Sequence, residues 1–138
     1  MIILDDFAGE WCLSRHIEDA LAKGTARLEG FCRFEPQEGG LLCTEGGTLS
    51  LPGRETGFTA ERRYLWQTDP IGIAVFFDDG QFFHRFDPND PAPRADHDCA
   101  PDAYAVRYDF SNWPLWSAVW RVRGPRKDYL SKSIYRRG

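Results

Sequence analysis

The sequence predicts an all-β protein, a single antiparallel up-and-down barrel of about eight to ten strands. Three observations carry that prediction. Apolar and polar residues alternate with period two in one short run after another, as half-buried strands require. Turn formers, chiefly Gly, Pro and Asp, recur between those runs at near-regular spacing. No long stretch shows the helical period, and polar residues fall on faces that otherwise point inward, which suits a hollow barrel better than a packed sandwich.

From the N-terminus, Phe7 to Ile17 is the first strand, with Trp11, Leu13, Arg15 and Ile17 on its apolar face. Asp19 to Lys23 allows only a helical turn, ended by Gly24. Thr25 to Phe34 is the second strand, with Leu28, Gly30, Cys32 and Phe34 sharing a face, and Pro36 to Gly40 is a turn. Leu41 to Leu51 is the third, placing Leu41, Cys43, Glu45, Gly47 and Leu49 together. Its Gly46-Gly47 pair suits the bend of a curved sheet. After a loop over Pro52 to Gly57, Phe58 to Gln67 puts Arg62, Tyr64 and Trp66 on one face.

The strongest local signal is the hairpin Ile71 to Asp87, turning at Asp79-Gly80. Asp-Gly between apolar runs suits a two-residue type I′ turn, whose central residues both need positive φ. That turn sets Asp78 against Gln81, Phe77 against Phe82, Phe76 against Phe83 and Val75 against His84. Period two then sends Ile73, Val75, Phe77, Phe82, His84 and Phe86 to the core, and Ala74, Phe76, Phe83 and Arg85 outward. Asp87 to Asp102, rich in prolines and carrying His97-Asp98-Cys99, is expected as a long connection covering a barrel mouth. Tyr104 to Phe110 and Leu115 to Arg123 are strands on either side of Trp113-Pro114, and Tyr129 to Arg136 follows the break at Gly124-Pro125.

The 138 residues are 42% hydrophobic, 14% aromatic and 28% charged, which describes a folded chain forming one domain over residues 1–138. A net charge of -4 disfavours nucleic acid as a partner, although Arg121, Arg123, Arg126, Lys127, Lys132, Arg136 and Arg137 make the C-terminus basic. No run reaches membrane-spanning length and Met1 to Asp6 lacks the basic start of a signal peptide, so a cytoplasmic protein with no membrane partner is expected. Cys12, Cys32, Cys43 and Cys99 show no C-x-x-C spacing and read as reduced thiols.

If the strand parities hold, Arg15, Glu45, Arg62, Tyr64, His84, Tyr104 and Arg121 share one cavity. Buried charges need partners, and three arginines against one glutamate leave a cationic surplus suited to carboxylate or phosphate. The expected ligand is a partly apolar, anionic small molecule, its head against Arg15, Arg62 and Arg121, oriented by His84 and the tyrosines. The alternative is an isomerase- or lyase-type enzyme with His84 as acid or base and an arginine stabilising an oxyanion. No nucleophile elbow, Gly-rich phosphate loop or paired-carboxylate signature adds to it. His97 in the covering connection joins the candidate ligand contacts, and Arg126-Lys127, presented by Gly124-Pro125, would clamp a carboxylate or phosphate at the rim. His84, His97, Cys99 and Asp102 are metal-ligand types, but their spacing supports no metal assignment. Phe76, Phe83, Trp116 and Trp120 are expected outside, forming a patch that a homodimer or the C-terminal segment would cover.

Gly9-Glu10-Trp11 on the first strand, with Arg121 and Arg123 on a late one, resembles the calycin signature of lipocalins and fatty-acid-binding proteins. That resemblance implies a calycin barrel in which Arg121 or Arg123 packs over Trp11. Over nearly the whole chain, Asp79-Gly80-Gln81-Phe82-Phe83-His84, His97-Asp98-Cys99 with Asp102 and Tyr104, and Gly124-Pro125-Arg126-Lys127-Asp128-Tyr129 resemble a bacterial lipocalin-like family, a domain of unknown function. The likeness implies a barrel and no activity. Similarity to the nitrobindins, small calycin-like barrels that hold haem through a histidine, makes His84 or His97 a candidate haem ligand. Neither lies in a motif specific enough to assign a cofactor.

Overall fold

The structure, a computed structural model, describes residues Met1–Gly138. A 3-10 turn (Leu4–Phe7) precedes ten strands: β1 (Gly9–Asp19), β2 (Gly24–Gln37), β3 (Gly40–Ser50), β4 (Phe58–Thr68), β5 (Ile73–Phe77), β6 (Phe82–Phe86), β7 (Arg94–Cys99), β8 (Asp102–Asn112), β9 (Leu115–Gly124) and β10 (Lys127–Arg137). Their order in the sheet is β6-β5-β4-β3-β2-β1-β10-β9-β8-β7. All pairs are antiparallel, so sequential hairpins and the pairing of β1 with β10 wrap the sheet into an up-and-down barrel. The ladder stops at one seam, where β6 lies beside β7 without strand pairing.

One end is plugged. Phe7 is 0% exposed, and its ring meets Trp11, Phe34, Trp66, Phe110, Trp113 and Trp116 at centroid distances from 4.9 to 6.5 Å. Trp11 Nε1 donates to the Phe7 carbonyl at 2.9 Å, and the Arg137 guanidinium lies 3.8 Å over the indole. Arg137, rather than Arg121 or Arg123, is therefore the basic residue over Trp11. Register explains this, because Trp11 faces Arg137 across the β1–β10 ladder, whereas Arg121 and Arg123 lie on β9.

The connection after β6 lies at this plugged end, where Asn89 bonds both the Ile2 amide (2.8 Å) and the Ile2 carbonyl (3.0 Å). It does not cover an open mouth. Within the segment expected as loop, Arg94–Cys99 is a strand. Its prolines concealed it, yet the Pro91 and Pro93 carbonyls accept from the Phe110 and Tyr108 amides, extending the β8 ladder along an edge that needs no proline N–H.

The central hairpin differs at its tip. The Phe77 amide donates to the Gln81 carbonyl and the Gly80 amide to the Phe77 carbonyl, both at 2.9 Å, so the loop has three residues, Asp78 to Gly80. Gly80 alone among them has positive φ, at +89°, which excludes type I′. This loop shifts pairing by one, setting Phe76 against Phe82, and a bulge then restores Val75 opposite His84. His84 consequently faces inward as expected, but the two phenylalanines exchange sides: Phe82 is 41% exposed and Phe83 is buried.

β9 also reverses an expectation. Trp116 is 2% exposed and Trp120 packs beside His84 and Phe83, so the indoles occupy the interior. Arg121, one residue out of phase with them, bonds Asp128 (2.7 Å) and the Tyr129 carbonyl (3.1 Å) instead. Burying two indoles outweighs burying one guanidinium. With Phe83, Trp116 and Trp120 inside, the expected aromatic patch shrinks to Phe76 and Phe82, and the case for a homodimer loses its basis.

Candidate functional site

Beyond the Phe7 cluster the barrel encloses a cavity of about 310 Å³, at the lower end of the range for small-ligand sites. All five tyrosines of the chain line it: Tyr64 from β4, Tyr104 and Tyr108 from β8, and Tyr129 and Tyr135 from β10. Trp66, Trp116, Trp120, Phe77 and Phe83 complete an aromatic wall. Phe83 stacks on Trp120 with centroids 4.9 Å apart, and Trp116 on Tyr135 at 3.8 Å.

Arg15 and Glu45 form a buried pair in this wall, with Arg15 Nη2 2.7 Å from Glu45 Oε1. Arg15 Nε donates to Ser133 at 2.7 Å, and Glu45 Oε2 accepts from the Tyr135 hydroxyl at 2.5 Å. Burial by itself would raise the Glu45 carboxyl, but the Arg15 charge and these hydrogen bonds outweigh it and hold the group below its ordinary value. Arg15 Nε and Nη2 are thus committed to protein groups. Arg62, from β4, lines the same cavity, stays exposed to solvent and makes no ion pair. It is the cavity's surplus charge.

His84 Nε2 is 2.8 Å from the Tyr108 hydroxyl, and the ring is 3% exposed. Burial, with a smaller contribution from His97, pushes its pKa down to about 3, so the imidazole is neutral at physiological pH. Its Nδ1 and the Trp116 Nε1 are buried without a hydrogen-bond partner.

The sequence matches a family described as "Family of unknown function (DUF6314)" over residues 7–137. The chain belongs to the DUF6314 family. Its structure is similar to that of the S-type phycobiliprotein lyase CPES from Guillardia theta, with a TM-score of 0.61 over 99% of this chain and 94% of that one, at 12% identity. At that identity the likeness carries the fold alone. No curated protein matches.

In this DUF6314 barrel the cavity gathers Arg15, Glu45, Arg62, Tyr64, His84 and Tyr104 from the expected set. Arg121 is outside it, and Arg126 is exposed. Lys127 sits behind the wall, donating to the Tyr104 hydroxyl (2.9 Å) and paired with Asp102 (3.2 Å). His97 packs across the β6–β7 seam against Phe77, Phe83 and Tyr104 and does not line the cavity. His84, His97, Cys99 and Asp102 do not gather around a common point. Haem ligation through His84 does not fit either, since Nε2 is held by Tyr108 and Nδ1 is enclosed.

Sequence reasoning missed Tyr108, Tyr129, Ser131 and Tyr135. The signal was present: Tyr108 shares parity with Tyr104, and Tyr129, Ser131, Ser133 and Tyr135 alternate along β10.

Proposed function

We propose that this DUF6314 barrel binds a small, partly apolar anion, with its apolar part against the aromatic wall and its charged head toward Arg62. The observation that carries this is Arg62 itself, a cavity-lining cation without an ion pair among rings that favour apolar or aromatic groups. Because Arg15 is committed to Glu45 and Ser133, the head is placed at the solvent-exposed Arg62 rather than shared with Arg15 and Arg121.

A neutral His84 favours binding over proton transfer. A general base working at neutral pH is best matched by a pKa near 7, whereas His84 lies near 3. For the isomerase- or lyase-type alternative His84 is a weak, poorly matched base, and with Tyr108 it serves as a polar landmark in the wall. Four free thiols fit a reducing, cytoplasmic setting, and no helix is long and apolar enough to cross a membrane.

The test is a titration with 8-anilinonaphthalene-1-sulfonate, an apolar arylsulfonate, followed by its fluorescence. Saturable binding is expected, weakened about tenfold or more by Arg62→Gln, as loss of one charge-assisted hydrogen bond implies. Undiminished affinity in Arg62→Gln would refute the placement of the head, and absence of saturable binding would count against the cavity as a site for such anions.

A further inference from the structure

One buried cluster is left unused by the proposed ligand site. Cys32 on β2 and Cys43 on β3 are one diagonal step apart, Cys32 facing Glu45 and Cys43 facing Phe34. Their sulfurs are 3.7 Å apart, and each lies, with a carboxylate oxygen of Glu45, inside a group of atoms all within 4.8 Å of one another. All three side chains are buried. Two thiolates on one tetrahedral ion, bound at about 2.3 Å each, stand about 3.8 Å apart. Ordinary sulfur contact gives a similar separation, so the spacing alone would carry nothing. Glu45 supplies the third donor, and two further features point to an ion.

The first is the support around the carboxylate. Arg15 and Tyr135 both hydrogen-bond Glu45 and fix its orientation, as outer partners of metal-binding carboxylates do. The second is an open side: Cys43 and Glu45 line the cavity while Cys32 stands behind them, so a water or ligand atom has access to the triad from the cavity.

We propose that Cys32, Cys43 and Glu45 form a site for a thiophilic divalent cation such as zinc, with its remaining position open to the cavity. Charge balance favours it. Without the ion, two neutral thiols and the Arg15–Glu45 pair sum to zero. With it, two thiolates, one carboxylate, one guanidinium and one dication again sum to zero, and the two thiol protons leave to solvent. The exchange adds no net charge to the interior, so the cost of burying an unbalanced charge is avoided. Because two thiol protons leave for each ion bound, binding weakens in acid and is steep with pH.

The experiment titrates Zn²⁺, and Co²⁺ as a spectroscopic stand-in, into reduced, chelator-stripped full-length protein. Expected are one ion per chain, a Co²⁺–thiolate charge-transfer band, release of about two protons per ion, and affinity rising about 100-fold per pH unit while both thiols are protonated. Cys32→Ser and Cys43→Ser should each remove the band, whereas Cys12→Ser and Cys99→Ser, at exposed positions, should keep it. Tyr135→Phe should weaken binding ~10–100-fold with the band retained. The wild-type band and proton count need no variant to fold. Absence of one-to-one binding, absence of the band, or an unchanged band in Cys32→Ser would overturn the site. None of these readouts depends on whether anions bind at Arg62.

Discussion

Glu45 faces Arg62 across the β3–β4 ladder, yet its ion-pair partner is Arg15, 2.7 Å away and two strands distant. That choice divides the two cavity arginines. Arg15 is a neutralised part of the wall, and Arg62 keeps its charge available. Glu45→Gln should therefore leave Arg15 buried and uncompensated, costing about 3–5 kcal/mol in stability. The double change Arg15→Met with Glu45→Leu should recover most of that loss. Chemical denaturation of the three variants checks both statements.

His84 makes stability depend on pH with a definite sign. Its folded pKa, near 3, is depressed below the unfolded value of about 6.5, so between those values the unfolded state binds the extra proton. Stability contributed by the neutral ring is present above about pH 6.5 and is lost as pH falls toward 3, by up to about 1.4 kcal/mol per unit. Urea midpoints measured from pH 7 to pH 4.5 should fall in the wild type and fall less steeply in His84→Gln. Parallel slopes would remove His84 from the account.

At the plugged end, Arg137 holds Trp11 by its guanidinium face and bonds the carbonyls of Asp6 and Ala8. Arg137→Ala should cost about 1–3 kcal/mol, from the cation–π contact and the carbonyls left behind. Arg123→Ala, at an exposed position on β9, should change stability by no more than about 0.5 kcal/mol. Thermal melts of the two variants distinguish Arg137 from the late-strand arginines as the residue that closes this end.

Alternation along unbulged strands made much of the site legible. Arg15, Glu45, Arg62, Tyr64 and Tyr104 all face inward because nothing interrupts the period-two pattern between each of them and its neighbours, and His84 does so because the bulge restores its pairing with Val75. Phe83 was not legible, since a three-residue loop and a compensating bulge reverse two residues while leaving His84 in place. Arg121 was placed inside on an assumed parity of β9, and the indoles beside it decided that parity the other way. β7 was masked by prolines that cost an edge strand nothing. Nor does any local pattern tell Arg15 from Arg62. Their roles differ because Glu45 reaches over β2 to β1, a contact set by the curvature of the closed sheet.

The five tryptophans offer the most direct test of the cavity as a binding site. Trp66, Trp116 and Trp120 line it, while Trp11 and Trp113 pack at the plugged end. In nitrogen-edited NMR spectra of the protein titrated with 8-anilinonaphthalene-1-sulfonate, the indole resonances of the first three should shift together and saturate, and that of Trp11 should stay. Shifts confined to Trp113 or Trp11, or no saturable shift at Trp66, Trp116 and Trp120, would contradict binding within the barrel.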